Sequence, residues 1–92
     1  MVTYTILLSA LAATAFAAER LGGIDINSAC RAQYGNGYYS LQRGNGCSDW
    51  RCVGPTGVFF SVDTPAACGR QYGGNTYAYC TTGAYDWACF RN

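Results

Sequence analysis

Histidine and lysine are both absent from this chain of 92 residues, and all six basic side chains are arginine. The commonest general acid–base group and the amine that forms Schiff bases are therefore missing. Five acidic residues nearly balance the arginines, which leaves a formal net charge of +1. Nucleic-acid binding needs a basic patch and membrane-active peptides carry a strongly cationic face, so this balance argues against both. We expect no catalytic residue and no nucleic-acid partner.

Metal-binding and phosphate-binding patterns are missing as well. Zinc sites use histidine and closely spaced cysteine pairs, but the sequence contains no histidine and no C-x-x-C pair. The stretches Gly35-x-Gly37 and Gly44-x-Gly46 are rich in glycine. Neither follows a strand and opens a helix, as a phosphate-binding loop does. We interpret both stretches as turns, and we expect neither a metal nor another cofactor.

The one long apolar run stands at the N-terminus. Residues 6–18 are small and apolar apart from Ser9 and Thr14, and the run is shorter than the about 20 residues that a membrane-spanning helix needs. It ends in Ala15-Phe16-Ala17, which resembles a signal-peptidase site. We predict a signal peptide over residues 1–17, a single domain over 18–92, and secretion without stable membrane insertion afterwards. A buried helix or a membrane anchor is the alternative.

All six cysteines lie after the predicted cleavage site. An even number of cysteines behind a secretory signal indicates disulfides, here three. A domain of about 75 residues buries only a modest core and commonly needs such covalent support. A zinc site is the competing interpretation, which the missing histidines disfavour.

One pattern occurs twice in the predicted domain. ACRAQYG begins at Ala29 and ACGRQYG begins at Ala67. The longer pattern is [IV]-D-x-x-x-A-C-x-x-Q-Y-G, then a tyrosine-bearing stretch, then D-W-x-C. So many matches in the same order indicate an internal duplication, with repeats over 24–53 and 62–92.

A short helix is expected at the start of each repeat. Asp25 and Asp63 are favoured N-cap residues, because a carboxylate accepts hydrogen bonds from free backbone N–H groups. Gly35 and Gly73 follow about ten residues later, where a C-terminal cap favours glycine. These aspartates are explained as caps without a further role.

Two strands are expected after each helix. The stretches 39–41 and 77–79 alternate in polarity, and the D-W-x-C motifs follow turn signals. Residues 58–60 add a candidate strand between the repeats. The predicted fold class is therefore α+β: a small disulfide-stapled domain of tandem α-β-β repeats, with two short helices packed on an antiparallel sheet.

The duplication also selects one disulfide pattern among the 15 that six cysteines allow. The helix cysteine and the D-W-x-C cysteine occupy equivalent places in both repeats, so each such pair should close within its own repeat. The two remaining cysteines are not equivalent and would join the repeats. The predicted bonds are Cys30–Cys52, Cys68–Cys89 and Cys47–Cys80.

Several repeated side chains are interpreted as structural. Trp50 and Trp87 each precede a cysteine by two residues, so on a strand each ring shares a face with a disulfide. We favour core packing over exposed rings that stack on sugars. Gln33 and Gln71 are expected to form hydrogen bonds with backbone, and a symmetric pocket is the alternative.

Four side chains form the predicted binding surface. Tyr38 is expected to point outward because alternation would direct Tyr39 inward. Tyr85 is a second candidate, since tyrosine is common at interfaces. Asp49 and Arg51 lie on the strand face opposite the tryptophan, where a solvated ion pair is the alternative interpretation. The aspartates of the two D-W-x-C motifs lie in separate repeats, which disfavours a catalytic carboxylate pair.

The chain resembles the small secreted cysteine-rich proteins of filamentous fungi, a class that includes plant-pathogen effectors and killer-type toxins. The resemblance rests on the signal peptide, the six cysteines, the abundant tyrosine and glycine, and the repeated pattern. It implies a secreted non-enzymatic effector with a role in virulence, acting on an extracellular host protein or a microbial surface component. A lectin-like module that binds cell-wall polysaccharide and a secreted antimicrobial or killer-type toxin are the alternatives.

Overall fold

The computed structural model describes residues 18–92, so the predicted signal peptide over residues 1–17 lies outside the described residues. The described chain is an α+β fold in which two helices pack on two three-stranded antiparallel sheets. A 3₁₀ turn covers Ala84–Asp86. The other elements, in chain order, are β1 (Glu19–Gly23), α1 (Ile26–Tyr34), β2 (Tyr39–Gln42), β3 (Trp50–Val53), β4 (Phe59–Ser61), α2 (Thr64–Tyr72), β5 (Thr76–Tyr79) and β6 (Ala88–Arg91).

Both helices have the caps that the sequence predicts. The Asp25 carboxylate accepts a hydrogen bond from the Ser28 N–H at 2.9 Å, and the Asp63 carboxylate accepts one from the Ala66 N–H at 3.0 Å. Gly35 follows α1 with φ +130°, and the equivalent glycine after α2 has φ +95°. A side chain with Cβ rarely adopts these angles, so glycine suits both positions.

The strand that leads into each repeat belongs to the sheet of the other repeat. One sheet has the order β2-β3-β4, so the hairpin of the first repeat pairs with the strand that leads into α2. The other has the order β1-β6-β5, so the hairpin of the second repeat pairs with the strand that leads into α1. This reciprocal exchange joins the repeats through backbone hydrogen bonds in both directions, as in a domain-swapped pair within one chain.

The repeated glutamines hold this exchange in place. The Gln33 amide donates to the Asp63 carbonyl at 2.8 Å and accepts from the Asp63 N–H at 3.0 Å. Gln71 repeats the arrangement, because its amide oxygen accepts from the Asp25 N–H at 2.8 Å and its amide nitrogen donates to the Gly23 carbonyl at 3.3 Å. The expected backbone role of both glutamines is confirmed, and the backbone that they bind belongs to the opposite repeat.

The repeated tyrosines act beside the glutamines. The Tyr34 hydroxyl donates to the Ser61 carbonyl at 2.7 Å, and the Tyr72 hydroxyl donates to the Gly23 carbonyl at 2.9 Å. Ser61 and Gly23 occupy equivalent positions at the ends of β4 and β1. Each copy of the Q-Y-G motif therefore binds the segment that leads into the other helix, which explains why both repeats contain the motif.

Sulfur fills the centre of each repeat. The only described side chains with 0% exposure are four cysteines, and alanine makes up four of the other six buried apolar side chains. Ile26 joins Cys30 and Cys52 in a small cluster against which Trp50 packs. The structure contains the three bonds that the duplication predicts: Cys30–Cys52, Cys68–Cys89 and Cys47–Cys80.

Strand β1 is absent from the sequence-based prediction. Its residues, ERLGG, show no alternation and include two glycines, which are poor strand formers. Its pairing register with β6 shifts between Arg20 and Gly22, and Gly22 has φ +153°. The Tyr72 hydroxyl lies directly against Gly22, where a Cβ would collide with it. Strand β1 therefore forms because it pairs with β6 and contacts Tyr72, and not because of its own composition.

We predict that removing Cys30–Cys52 destabilises the fold more than removing Cys47–Cys80. Cys30–Cys52 closes a loop of 22 residues and Cys47–Cys80 a loop of 33. By chain entropy alone the larger loop makes Cys47–Cys80 the more stabilising bond, but only by about 0.4 kcal/mol. Loss of the fully buried sulfurs of Cys30 and Cys52 adds a cavity cost of roughly 1–3 kcal/mol, whereas Cys47 and Cys80 are half-buried. Urea unfolding of the two double alanine variants measures the order, and a less stable Cys47→Ala/Cys80→Ala variant would contradict the buried sulfur core.

We predict that Gln33→Ala lowers the free energy of unfolding by about 1–3 kcal/mol, since it leaves the Asp63 N–H without its partner and the Asp63 carbonyl with only its hydrogen bond from the Ala67 N–H. Gln71→Ala should cost less, because one of its hydrogen bonds is 3.3 Å long. Alanine is a better helix former than glutamine, so helix propensity does not account for such a loss. Arg31→Ala, which truncates an exposed side chain of the same helix, is the control and should cost less than about 1 kcal/mol. Equal stability of Gln33→Ala and the wild-type protein in urea unfolding would refute the cross-repeat role.

Candidate functional site

A half-open groove of about 310 Å³ lies where the two repeats meet. The turn before β3 and the start of β3 form one wall, and the segment from the end of β4 into α2 forms another. A tryptophan of the second repeat completes it. The lining residues are Cys47, Ser48, Trp50, Arg51, Ser61, Val62, Thr64 and Trp87.

The two tryptophans of the groove are held by reciprocal hydrogen bonds. The Trp50 indole N–H donates to the Ala84 carbonyl at 2.7 Å, and the Trp87 indole N–H donates to the Cys47 carbonyl at 2.8 Å. Cys47 and Ala84 stand at equivalent places, three residues before each tryptophan. Both rings are half-buried, so they support the junction of the repeats and also present part of their surface to the groove.

Arg51 lies in the groove and supplies its only charge. Its Nη1 donates to the Ser48 carbonyl at 2.6 Å and to the Trp50 carbonyl at 2.8 Å, which fixes the guanidinium against the turn. The groove lining contains no carboxylate. Arg51 was predicted to lie on the strand face opposite the tryptophan, as part of a binding surface. In the structure it lines the same groove as Trp50 and Trp87.

Asp49 stabilises the turn that precedes this arginine. Its carboxylate accepts a hydrogen bond from the Gly46 N–H at 2.7 Å, and its backbone carbonyl accepts one from the Arg43 N–H at 2.8 Å. Gly44 and Gly46 pass so close to the carboxylate that a Cβ at either position would lie within 3 Å of it. The structure gives Asp49 a local structural role within the β2–β3 connection.

Tyr85 is the most exposed of the predicted surface residues, at 79% exposure. Its hydroxyl donates to the Gln42 amide oxygen at 2.6 Å, and its ring meets the Trp50 ring edge-on at a centroid distance of 6.2 Å. Through Trp50, the structure brings Tyr85 and Arg51 into one region of the surface.

Tyr38 is not an outward-facing residue, and the expected orientation of the Tyr38–Tyr39 pair is wrong. Tyr38 is half-buried against the core cluster of the first repeat, and its ring lies on Gly54, where a Cβ would come within 2.6 Å of it. Tyr39 is 52% exposed. The alternation argument failed because Tyr38 precedes β2 and lies in the turn after Gly37, so strand periodicity does not govern its direction.

An exposed aromatic strip on the second sheet was missed by the sequence reasoning. Tyr77 and Phe90 are cross-strand partners whose rings stack at 5.5 Å, and Tyr79 meets Phe90 edge-on at 6.4 Å. Tyr79 is 56% exposed and Tyr77 is 37% exposed. The signal was present as Tyr-x-Tyr spacing on β5, which places both tyrosines on one face.

Two features are absent from the described residues, 18–92. Within this range, no three histidine, cysteine, aspartate or glutamate side chains converge as metal ligands would. Neither described helix is long and apolar enough to cross a membrane.

Comparison with known proteins gave no relative: no protein-family model, no curated protein and no solved structure matches this chain. The site is therefore defined by its own geometry, namely a groove with two fixed indoles, one guanidinium and three hydroxyl side chains, and an aromatic strip on the second sheet.

We predict that Tyr38→Ala lowers the free energy of unfolding by about 2–3 kcal/mol, because it removes a packed ring. Its chain neighbour supplies the matched control: Tyr39→Ala removes an exposed ring and should cost less than about 1 kcal/mol. Chemical denaturation of both variants gives the comparison. If Tyr39→Ala proves the more damaging substitution, the assigned orientation of the pair is incorrect.

Proposed function

We propose that this chain is exported and acts as a non-enzymatic, effector-type protein on an extracellular target. The observation that carries the proposal is the covalent core, because the four completely buried side chains are the cysteines of two disulfides. Disulfides form and persist in oxidising compartments and are rare in the reducing cytosol. Three disulfides in so small a domain are consistent with an extracellular protein.

The position of β1 supports removal of a signal peptide. The strand begins at Glu19, and the proposed cleavage follows Ala17 or Ala18. Cleavage at either place leaves every described helix and strand intact.

A binding role is supported by the aromatic surface. Eight large apolar or aromatic side chains of the described chain are exposed, five of them tyrosines. Tyrosine gives contact area at a low cost in side-chain entropy and is enriched at binding surfaces. A fold held by disulfides presents these rings on a rigid surface, which lowers the entropic cost of binding.

The alternative is a lectin-like protein that binds cell-wall polysaccharide. The strip formed by Tyr77, Tyr79 and Phe90 favours it, because adjacent exposed rings on one sheet face suit the flat apolar faces of successive sugar units. The equivalent positions of the first repeat are Tyr39, Leu41 and Val53, which offer only one aromatic ring. This second function would therefore reside in the second sheet.

We predict that the oxidised, secreted protein elicits a response in infiltrated plant leaf, and that the same dose after reduction and alkylation does not. The reason is that loss of the covalent core unfolds the binding surface. The measurement is host-cell death or defence-gene induction, together with mass spectrometry of the secreted form, which should begin at Ala18 or Glu19 and contain no free thiol.

Equal responses to the oxidised and alkylated forms, or a cell-retained product with free thiols, would contradict the proposal. Deletion of the gene in the producing organism should lower virulence. Retention on insoluble polysaccharide that is lost in Tyr79→Ala but kept in Tyr39→Ala, with no leaf response, would favour the lectin-like alternative.

A further inference from the structure

We propose that the groove between the repeats binds a carboxylate-bearing sugar unit of an extracellular polysaccharide, with Arg51 receiving the carboxylate. This inference deepens the proposed function and rests on it, since it names a chemical class for the extracellular target. It concerns the groove and not the aromatic strip of the second sheet.

The duplication gives the first step, because each groove position has an equivalent in the other repeat. The scaffold positions agree: Trp50 corresponds to Trp87. The polar positions do not, since Arg51 corresponds to Ala88 and Ser48 to Tyr85. Ser61 and Thr64 likewise correspond to Gly23 and Ile26. The repeats therefore share what holds the junction together and differ in the polar side chains that line one groove.

These polar side chains are not needed by the shared scaffold. The equivalents of Arg51 and Thr64 are Ala88 in the second repeat and Ile26 in the first, and both are buried, at 2% and 7% exposure. Apolar residues therefore satisfy the same backbone positions. Polar side chains that occupy these positions on one side of a pseudo-symmetric molecule indicate a ligand-binding site on that side.

Charge selects an anionic ligand. Arg51 is the one charged residue of the groove lining, and no lining carboxylate neutralises it. Within residues 18–92, its side-chain hydrogen bonds use Nη1 alone. A guanidinium has five N–H donors in a fixed plane, so the Nε and Nη2 donors remain for a ligand. Their geometry fits the two oxygens of a carboxylate.

The remaining lining selects a sugar among small carboxylates. Two half-buried indoles offer flat apolar surface, and Ser48, Ser61 and Thr64 offer hydroxyl groups that both donate and accept hydrogen bonds. A carboxylated sugar ring has the same combination of a flat C–H face, hydroxyls at its edge and one carboxylate. The volume of about 310 Å³ lies at the small end of ligand sites, which suits one ring, and the open side leaves room for the chain to continue.

The test uses the intact oxidised protein and isothermal titration calorimetry with a trimer of galacturonic acid. Its fully methyl-esterified form has the same shape without charge and serves as the matched control ligand. We expect the acid trimer to bind at least tenfold more tightly than the ester, and Arg51→Gln to lose about tenfold to a hundredfold in affinity. Arg31→Gln removes the same charge at an exposed helix position away from the groove and should change affinity less than twofold.

Thr64→Val provides a second variant, since it removes a groove hydroxyl and leaves the Arg51 contacts intact. We expect it to weaken the acid trimer severalfold. A tripeptide with a free C-terminal carboxylate, compared with its amide, distinguishes a peptide ligand. Tighter binding of that peptide than of the sugar acid would overturn the proposal, as would equal affinity for acid and ester or equal losses in Arg51→Gln and Arg31→Gln.

The groove proposal and the effector proposal can be refuted independently of each other. If the acid trimer does not bind while the oxidised protein still elicits a leaf response, the sugar ligand is refuted and the effector function stands. If the acid trimer binds with the expected variant order but neither leaf response nor virulence depends on the protein, the groove proposal is supported and the effector function is refuted.

Discussion

The structure depends on two buried disulfides that take the place of a hydrophobic core. Cys30–Cys52 and Cys68–Cys89 each tie a helix to the last strand of its own repeat, and their four sulfur-bearing side chains are the only described ones with no exposure. Alanines beside them, such as Ala29 and Ala67, let each helix approach its sheet closely enough for these bonds to form. At closed loops of 22 and 21 residues, each bond contributes roughly 3 kcal/mol in the chain-entropy account, which is comparable to the stability of a whole small domain.

The second constraint is the reciprocal exchange between the repeats. Neither hairpin forms a three-stranded sheet within its own repeat, because its third strand is the one that leads into the other repeat. Gln33 and Gln71 then hold the backbone where each exchanged strand leads into a helix. The Cys47–Cys80 bond is the one cross-link that does not obey the two-fold relation, because its cysteines are not equivalent. It lies beside the groove, at the place where the two halves stop being alike.

The duplicated pattern made the local structure and the disulfides predictable. Helix caps at Asp25 and Asp63 are local chemistry, and equivalent cysteines identify their partners by symmetry. The exchange was not predictable, because choosing which hairpin receives β1 is a long-range decision that the residues 19–23 do not encode. Tyr38 was misjudged for a related reason: it lies outside its strand, and only the close passage of Gly54 decides that its ring points inward. For the candidate site, Arg51 was identified and the groove around it was not, since the groove joins segments from both repeats.

Covalent stabilisation also explains how so small a protein keeps so much aromatic surface exposed. In a domain held by burial alone, moving Tyr77 or Tyr79 to the core would add stability, and exposing them would be costly. Here the sulfur links carry the stability, so the surface is free to serve recognition. The same reasoning separates the two kinds of repeated position. Residues that match between repeats hold the shape, whereas residues that differ, above all Arg51 against Ala88, distinguish the groove that we propose as a ligand site.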